Sequence, residues 1–201
     1  MAEEREIKIP VDADFVLPDL DGVVEGMHTL DRGTVELSAT YWDTDALALL
    51  HAHLGLRHRS ARGEAGRWTL KAGGGSVGLA VSREETDFVG PPDQPPAAAL
   101  EAIRAEVGEV ALRPVASLVT MRRTVDLVAG DTRRAEVADD HVAVRSGART
   151  VSTFREVEVE LFDAEAALID AVMSRLYAAG AGDPDSTPKY VRALRALGHD
   201  T

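Results

Sequence analysis

The chain has 201 residues, 45% hydrophobic and 28% charged, which suits a single soluble domain with a substantial core. A net charge of −12 argues against a nucleic-acid partner, and the lack of cysteine excludes disulfides and thiolate metal sites. No apolar run reaches membrane-spanning length, and Met1-Ala2-Glu3-Glu4 is acidic where a signal peptide is basic, so a cytoplasmic protein with no membrane partner is expected.

In chain order, Glu4 to Ile9 alternates strictly and ends at Pro10, the pattern of a strand. Residues 11–33, rich in Asp, Gly and Pro, read mostly as loop, and Thr34 to Trp42 reads as a second strand. Asp43-Thr44-Asp45 offers an N-cap for a short helix carrying Leu47, Leu50 and Leu54, with Gly55 at its end. Strands follow around Leu56 to Arg59 and Arg67 to Lys71. Gly73-Gly74-Gly75 reads as a flexible connection into a strand reaching Phe88.

The proline-rich stretch from Gly90 to Pro96 leads into an amphipathic helix, Ala97 to Val107, stopped by Gly108. Strands are expected at 114–128, 134–145 and 151–162. Asp163 caps a helix running to about Ala179 with Leu168, Val172 and Leu176 inward, and a last short helix starts near Pro188. The proline-rich stretch could divide the chain. Neither half has enough strands to bury both faces of a sheet, so one domain over 1–201 is expected.

Four strands share a pattern. Glu4, Glu6 and Lys8 alternate with Arg5, Ile7 and Ile9; Thr69 and Lys71 with Trp68 and Leu70; Thr120, Arg122 and Thr124 with Val119, Met121 and Val125; and Glu156, Glu158 and Glu160 with Val157, Val159 and Leu161. Side chains change face at each step of a strand, so each presents a charged row opposite an apolar row. An open sheet with its charged face in water would satisfy any one of them. Three glutamates in a row, and a Glu-Glu-Lys row elsewhere, repel unless cations lie between them. Closing the sheet with charges inside and apolar residues outside satisfies all four and encloses a polar tunnel.

Grouped carboxylates are hard oxygen ligands for Mg²⁺ or Mn²⁺, and lysines and arginines around them suit a polyanion. Only three lysines occur, Lys8, Lys71 and Lys189, among 22 basic residues. The Gly73 to Gly75 run lacks the Lys-Ser/Thr ending of a phosphate-binding loop. His51 and His53 are too close in sequence to share a helical face, and His58 points away from the tunnel, so the histidines are not expected to be catalytic.

Glu4-Arg5-Glu6-Ile7-Lys8 resembles the ExExK signature of CYTH domains, the family of thiamine triphosphatases, inorganic triphosphatases and class IV adenylate cyclases. Tyr41-Trp42-Asp43-Thr44, Leu56-Arg57-His58-Arg59, Trp68 to Lys71, Thr120-Met121-Arg122, Glu156 to Glu160 and Ser186 to Tyr190 resemble its later motifs, in order, over residues 4 to about 197. The resemblance implies an α+β fold: a closed antiparallel eight-stranded β-barrel with helices packed outside.

It also implies metal ligation by Glu4, Glu6, Glu158 and Glu160, with Glu156 assisting, and catalytic roles for Glu4, Glu6 and Lys8. Lys8, Arg57, Arg59, Lys71, Arg122 and Lys189 would bind the triphosphate. Arg83, Glu85, Glu136 and Asp140 are expected in supporting ion pairs, and Arg123 on the opposite face from Arg122. The expected reaction is metal-dependent hydrolysis of a triphosphate, inorganic triphosphate first, to diphosphate and phosphate. Thiamine triphosphatase, adenylate cyclase and a non-catalytic polyphosphate or nucleotide binder are the alternatives. Removing Glu4 or Glu6 is expected to relieve repulsion and to leave the fold intact or firmer.

Overall fold

A computed structural model describes residues 2–77, 79–162 and 165–201, residues 2–4 and 74–77 by their backbone alone. Eight strands, β1 (Ala2–Pro10), β2 (Met27–Asp43), β3 (Gly55–Ala61), β4 (Arg67–Val77), β5 (Ala80–Phe88), β6 (Arg113–Ala129), β7 (Thr132–Ser146) and β8 (Arg149–Leu161), close into an antiparallel barrel. Their order around it is β1-β5-β4-β3-β2-β6-β7-β8. Four helices accompany them: α1 (Ala48–His51), α2 (Ala97–Val107), α3 (Ala166–Ala178) and α4 (Lys189–Ala196).

The outward rows are buried under helices. Ile7 and Ile9 of β1 and Val157 and Val159 of β8 pack with Leu168, Val172 and Leu176 of α3. Trp68 and Leu70 of β4 and Leu56 of β3 pack with Leu49 of α1 and with Ala99 and Ile103 of α2. Burying each large side chain contributes roughly 1.5–3 kcal/mol, so the apolar rows drive closure of the sheet.

The fourth helix behaves differently. Its Tyr190, Val191 and Leu194 pack on Tyr41, Ala116, Leu118, Val142 and Val144, residues in phase with the inward-facing Arg122 and Asp140. One end of the lumen is therefore apolar and plugged by α4. The charged interior expected from the sequence occupies only the remainder.

Three sequence expectations change. First, β2 begins at Met27, inside the segment read as loop. Its polar start is held by pairing with Val125 to Ala129 of β6, with a register shift between Asp31 and Gly33 where Gly33 takes a positive φ. Second, α1 is a single turn rather than a helix ending at Gly55, because Leu47 and His53 take left-handed backbone conformations and Gly55 already belongs to β3. Third, the Gly73 to Gly75 run is part of β4, where the pairing with β5 shifts register between Ala72 and Gly75. The expected cap Asp163 lies outside the described residues; Glu165 precedes the first turn of α3.

Asp43 does cap α1, from a distance. Its carboxylate, fully buried, accepts from the backbone N–H groups of Thr44 (2.7 Å), Leu49 (2.9 Å) and Leu50 (3.1 Å). It also accepts from the Tyr190 hydroxyl of α4 at 2.6 Å. Tyr190 stacks on Tyr41 with ring centroids 5.1 Å apart. Asp43→Ala would strand four donors, two of them buried, and we expect it to cost on the order of 3 kcal/mol. Denaturant unfolding measures this; an unchanged midpoint would show that the hub does not hold α4.

Candidate functional site: a charged lumen

A cavity of about 760 Å³ lies inside the barrel. Glu6, Lys8, Arg57, Arg59, Lys71, Arg83, Arg122, Glu136, Asp140, Glu158, Glu160 and Lys189 all line it. The inward phase of every strand explains this gathering, since each contributes alternate residues to the same face. The side chain of the remaining candidate, Glu4, lies outside the described residues, although its backbone pairs in register with Arg83.

The walls differ in sign. Strand pairing sets Asp126, Glu136, Glu160 and Glu6 side by side in one row across β6, β7, β8 and β1. A second row holds Glu158 beside Lys8, and a third holds Arg122, Asp140 and Glu156. On the far wall, β3, β4 and β5 contribute Arg57, Arg59, Lys71 and Arg83. There Arg57 first, then burial and Arg122, pull the Arg59 guanidinium down to about 10. Positive charge is crowded on that wall more than the nearby carboxylates offset.

Several charges compensate one another. Lys8 pairs with Glu6, both buried, and Lys71 with Glu85. Arg122 donates through Nε and Nη2 to Asp140 at 2.8 and 2.6 Å, and through Nη2 to Glu158 at 2.5 Å. The Lys189 ammonium lies 2.9 Å from Asp140, 2.7 Å from Glu156 and 2.6 Å from Glu158. Burial opposes the Glu158 charge, yet Lys189, Arg122 and Lys8 hold its carboxyl well below the usual range.

Glu85, Glu136 and Asp140 sit in ion pairs as expected, Glu136 with Arg133 at 3.0 Å. Arg123 lies outside the barrel, paired with Asp31 at 2.7 Å. His58 is buried on the outer side against Trp68, ring centroids 5.3 Å apart, whereas His53 reaches the cavity lining.

The sequence reading passed over two residues of this region. Asp126 is buried and bound to Arg32 at 2.7 Å; the inward phase of Thr120, Arg122 and Thr124 extends to it. Arg192 meets Glu156 at 3.4 Å, and its place three residues after Lys189 on α4 puts both on one helical face.

The acidic wall has the donor chemistry of a hard divalent cation, with Glu6, Glu160 and Glu136 in one row. Glu6 turns to Lys8, and Glu158 to Arg122 and Lys189; among the described residues no three acidic or histidine side chains converge as metal ligands. Among the described residues no helix is long and apolar enough to cross a membrane.

No curated protein matches the chain in sequence. Among solved structures, a Bacillus halodurans protein described as a candidate adenylate cyclase is similar at 17% identity and a TM-score of 0.62, over 96% of this chain and 98% of that one. A Hippeastrum protein, described as a candidate adenylyl cyclase with a dominant triphosphatase activity, is similar at 15% identity and 0.58, over 96% of each chain. A Pyrococcus horikoshii protein is similar at 14% identity and 0.55, over 96% and 99%. At these identities the likeness is one of fold. The sequence profile of the CYTH domain matches residues 2–189, so the chain belongs to the CYTH domain family.

Proposed function

We propose that the chain is a metal-dependent triphosphatase that hydrolyses inorganic triphosphate to diphosphate and phosphate. The observation that carries this reading is one enclosed lumen with carboxylates on one wall and crowded cations on the other. A bare triphosphate fits the gap in charge between them. The triphosphatase activity in the description of the Hippeastrum protein supports the same reaction class.

In this reading Arg57, Arg59, Lys71 and Arg122 bind phosphoryl oxygens, and the arginines neutralise the charge that spreads over them as the terminal phosphoryl group transfers. Arginine forks match two oxygens at once, and Lys71 supplies a point charge. Glu6, Glu158 and Glu160, with Glu4, would hold Mg²⁺ or Mn²⁺, and Lys8 keeps Glu6 in place between turnovers. A divalent cation bound there would polarise the phosphoryl group and help generate a nucleophilic hydroxide from water. The attacking water oxygen bonds to the terminal phosphorus, the bridging P–O bond breaks, and diphosphate leaves.

Phosphate release from inorganic triphosphate, thiamine triphosphate and ATP, each with Mg²⁺ or Mn²⁺, tests the proposal. Inorganic triphosphate should be turned over fastest. No release from any of the three, or cyclic AMP from ATP as the main product, would overturn it. Lys71→Ala should raise KM about tenfold or more while kcat falls less, since a substrate-side cation binds ground and transition states alike. Steady-state kinetics read the split, and an unchanged KM would remove Lys71 from the binding wall.

A further inference from the structure

We infer that Tyr190 is a positioning residue: its hydroxyl, bonded to the Asp43 carboxylate, clamps α4 to the turn that feeds β3 and so sets where Arg57 stands to receive a triphosphate. This rests on the reading of the lumen as a triphosphate site. Two sequence motifs, Tyr41 to Thr44 and Ser186 to Tyr190, carry aromatic and acidic residues that the proposed chemistry leaves unused. The fold joins them. Tyr190 donates to Asp43 at 2.6 Å and stacks on Tyr41, the two rings 12° from parallel.

Tyr190 reaches the cationic wall by two routes. Its stacking partner Tyr41 lies directly across the β2–β3 pairing from Arg57. Its bonded partner Asp43 accepts from the N–H groups of Leu49 and Leu50, and Leu54 N–H bonds the Leu49 carbonyl at 2.8 Å, three residues before Arg57. This single turn is strained at both ends, since Leu47 (φ 54°) and His53 (φ 58°) take left-handed backbone. For residues other than glycine such conformations persist only where the surroundings over-determine them, and the buried Asp43 carboxylate supplies that constraint. The wall needs it. Arg57 is the largest influence lowering the Arg59 pKa, so the two guanidiniums repel each other until an anion lies between them.

The start of α4 is anchored on the acidic side. The strap before it is tied to β1 by two backbone bonds, Gly182 N–H to the Pro10 carbonyl at 3.0 Å and Asp185 N–H to the Lys8 carbonyl at 2.8 Å. Lys189 pairs with Asp140, Glu156 and Glu158, and Arg192 meets Glu156 at 3.4 Å and Asp185 at 2.7 Å. The Tyr190 hydroxyl therefore bridges a helix fixed to one wall and a turn that feeds the other. Burial, then the bond to Asp43, raises the Tyr190 phenol pKa, so it stays protonated and keeps donating.

Calorimetry of inorganic triphosphate binding to the full chain tests this with Tyr190→Phe, Arg57→Met and the two combined. Phenylalanine keeps the ring on Tyr41 and leaves Asp43 its backbone donors. Tyr190→Phe should bind triphosphate about tenfold more weakly, the loss expected when a binding group is no longer held in place. The combined variant should bind no more weakly than Arg57→Met alone, because with Arg57 gone its repulsion of Arg59 goes too and the clamp has nothing to hold. A merely structural hydroxyl would lower the melting temperature and leave the Kd of the folded protein where it was.

A Kd for Tyr190→Phe within twofold of wild type, or losses that multiply in the combined variant, would overturn the inference. If Tyr190→Phe does not fold, Asp43→Asn takes its place: the amide keeps one oxygen for the Thr44 and Leu49 N–H groups and removes the charge that holds the hydroxyl. Tenfold weaker binding then supports, and wild-type binding overturns. Binding without turnover in the wild-type chain would defeat the hydrolase reading alone and leave the affinity comparison standing. No binding of triphosphate by the wild-type chain would defeat both.

Discussion

Glu6→Gln should lower kcat for triphosphate hydrolysis by about two to three orders of magnitude, with the protein still folded. Glu6 is buried on β1, bonded to Lys8, and in register with Glu160 on one side of the acidic wall. Glutamine keeps the volume and can still accept from the Lys8 ammonium, so packing survives. What disappears is one negative charge from the wall proposed to hold the cation. If Glu6 serves that wall, a Mn²⁺ titration of activity should shift to higher concentration in the variant, and saturating metal should restore only part of the rate. Wild-type kinetics in Glu6→Gln would remove Glu6 from the reaction.

Glu6→Ala is a different experiment. From sequence alone, deleting one carboxylate of an acidic cluster relieves repulsion and leaves the fold intact or firmer. The structure argues otherwise for Glu6, because its bonded partner is the buried Lys8, and alanine would leave that ammonium with one fewer counter-charge in a low-dielectric place. Thermal melts should rank wild type first, Glu6→Gln, which keeps an acceptor for Lys8 but not the charge, second, and Glu6→Ala last.

The architecture was legible because two independent signals agree. Strict alternation in Glu4 to Ile9 and Glu156 to Leu161 gives each strand a charged and an apolar face, and the apolar faces ask for helices of the period seen in Leu168, Val172 and Leu176. Inward phase alone then gathers Glu6, Lys8, Lys71, Arg122 and Glu158. Pairing inside the lumen is another matter. Nothing in the spacing of Lys189 says that it meets three carboxylates, since that depends on how α4 enters the barrel, a consequence of the strap from Gly182 to Asp185. The apolar end of the lumen escaped for a related reason: inward phase carries Val142 and Val144 into the lumen with Asp140, but what covers them depends on where α4 sits. The start of β2 escaped because its hydrogen bonds come from the length of β6, not from its own polar, glycine-containing sequence.

Arg122→Met should be the most destabilising single change in the acidic wall. The guanidinium, deep in the lumen, bonds Asp140 at two atoms and Glu158 at a third contact. Burial opposes its charge, but Glu158 and Asp140 outweigh it and raise its pKa further. Removing one partner of a buried, hydrogen-bonded charge set costs about 3–5 kcal/mol, or a fall in Tm of roughly 10 °C for a chain this size. The pH dependence gives the cause away. The Glu158 carboxyl is held well below its usual range in the fold, so the stability it contributes is complete above the unfolded-state value of about 4.3 and is lost as pH falls toward the folded value. In Arg122→Met much of that depression is gone, and protonating Glu158 and Asp140 in acid relieves charges that now lack a partner. The gap in Tm between wild type and variant should therefore be widest near neutral pH and narrow below about pH 4. Glu156, whose carboxyl burial raises despite Lys189, is protonated earlier on the way down in both proteins and does not change the sign of that difference. A gap that stays constant, or widens in acid, would mean that Arg122 supports the wall by packing and not by its charge.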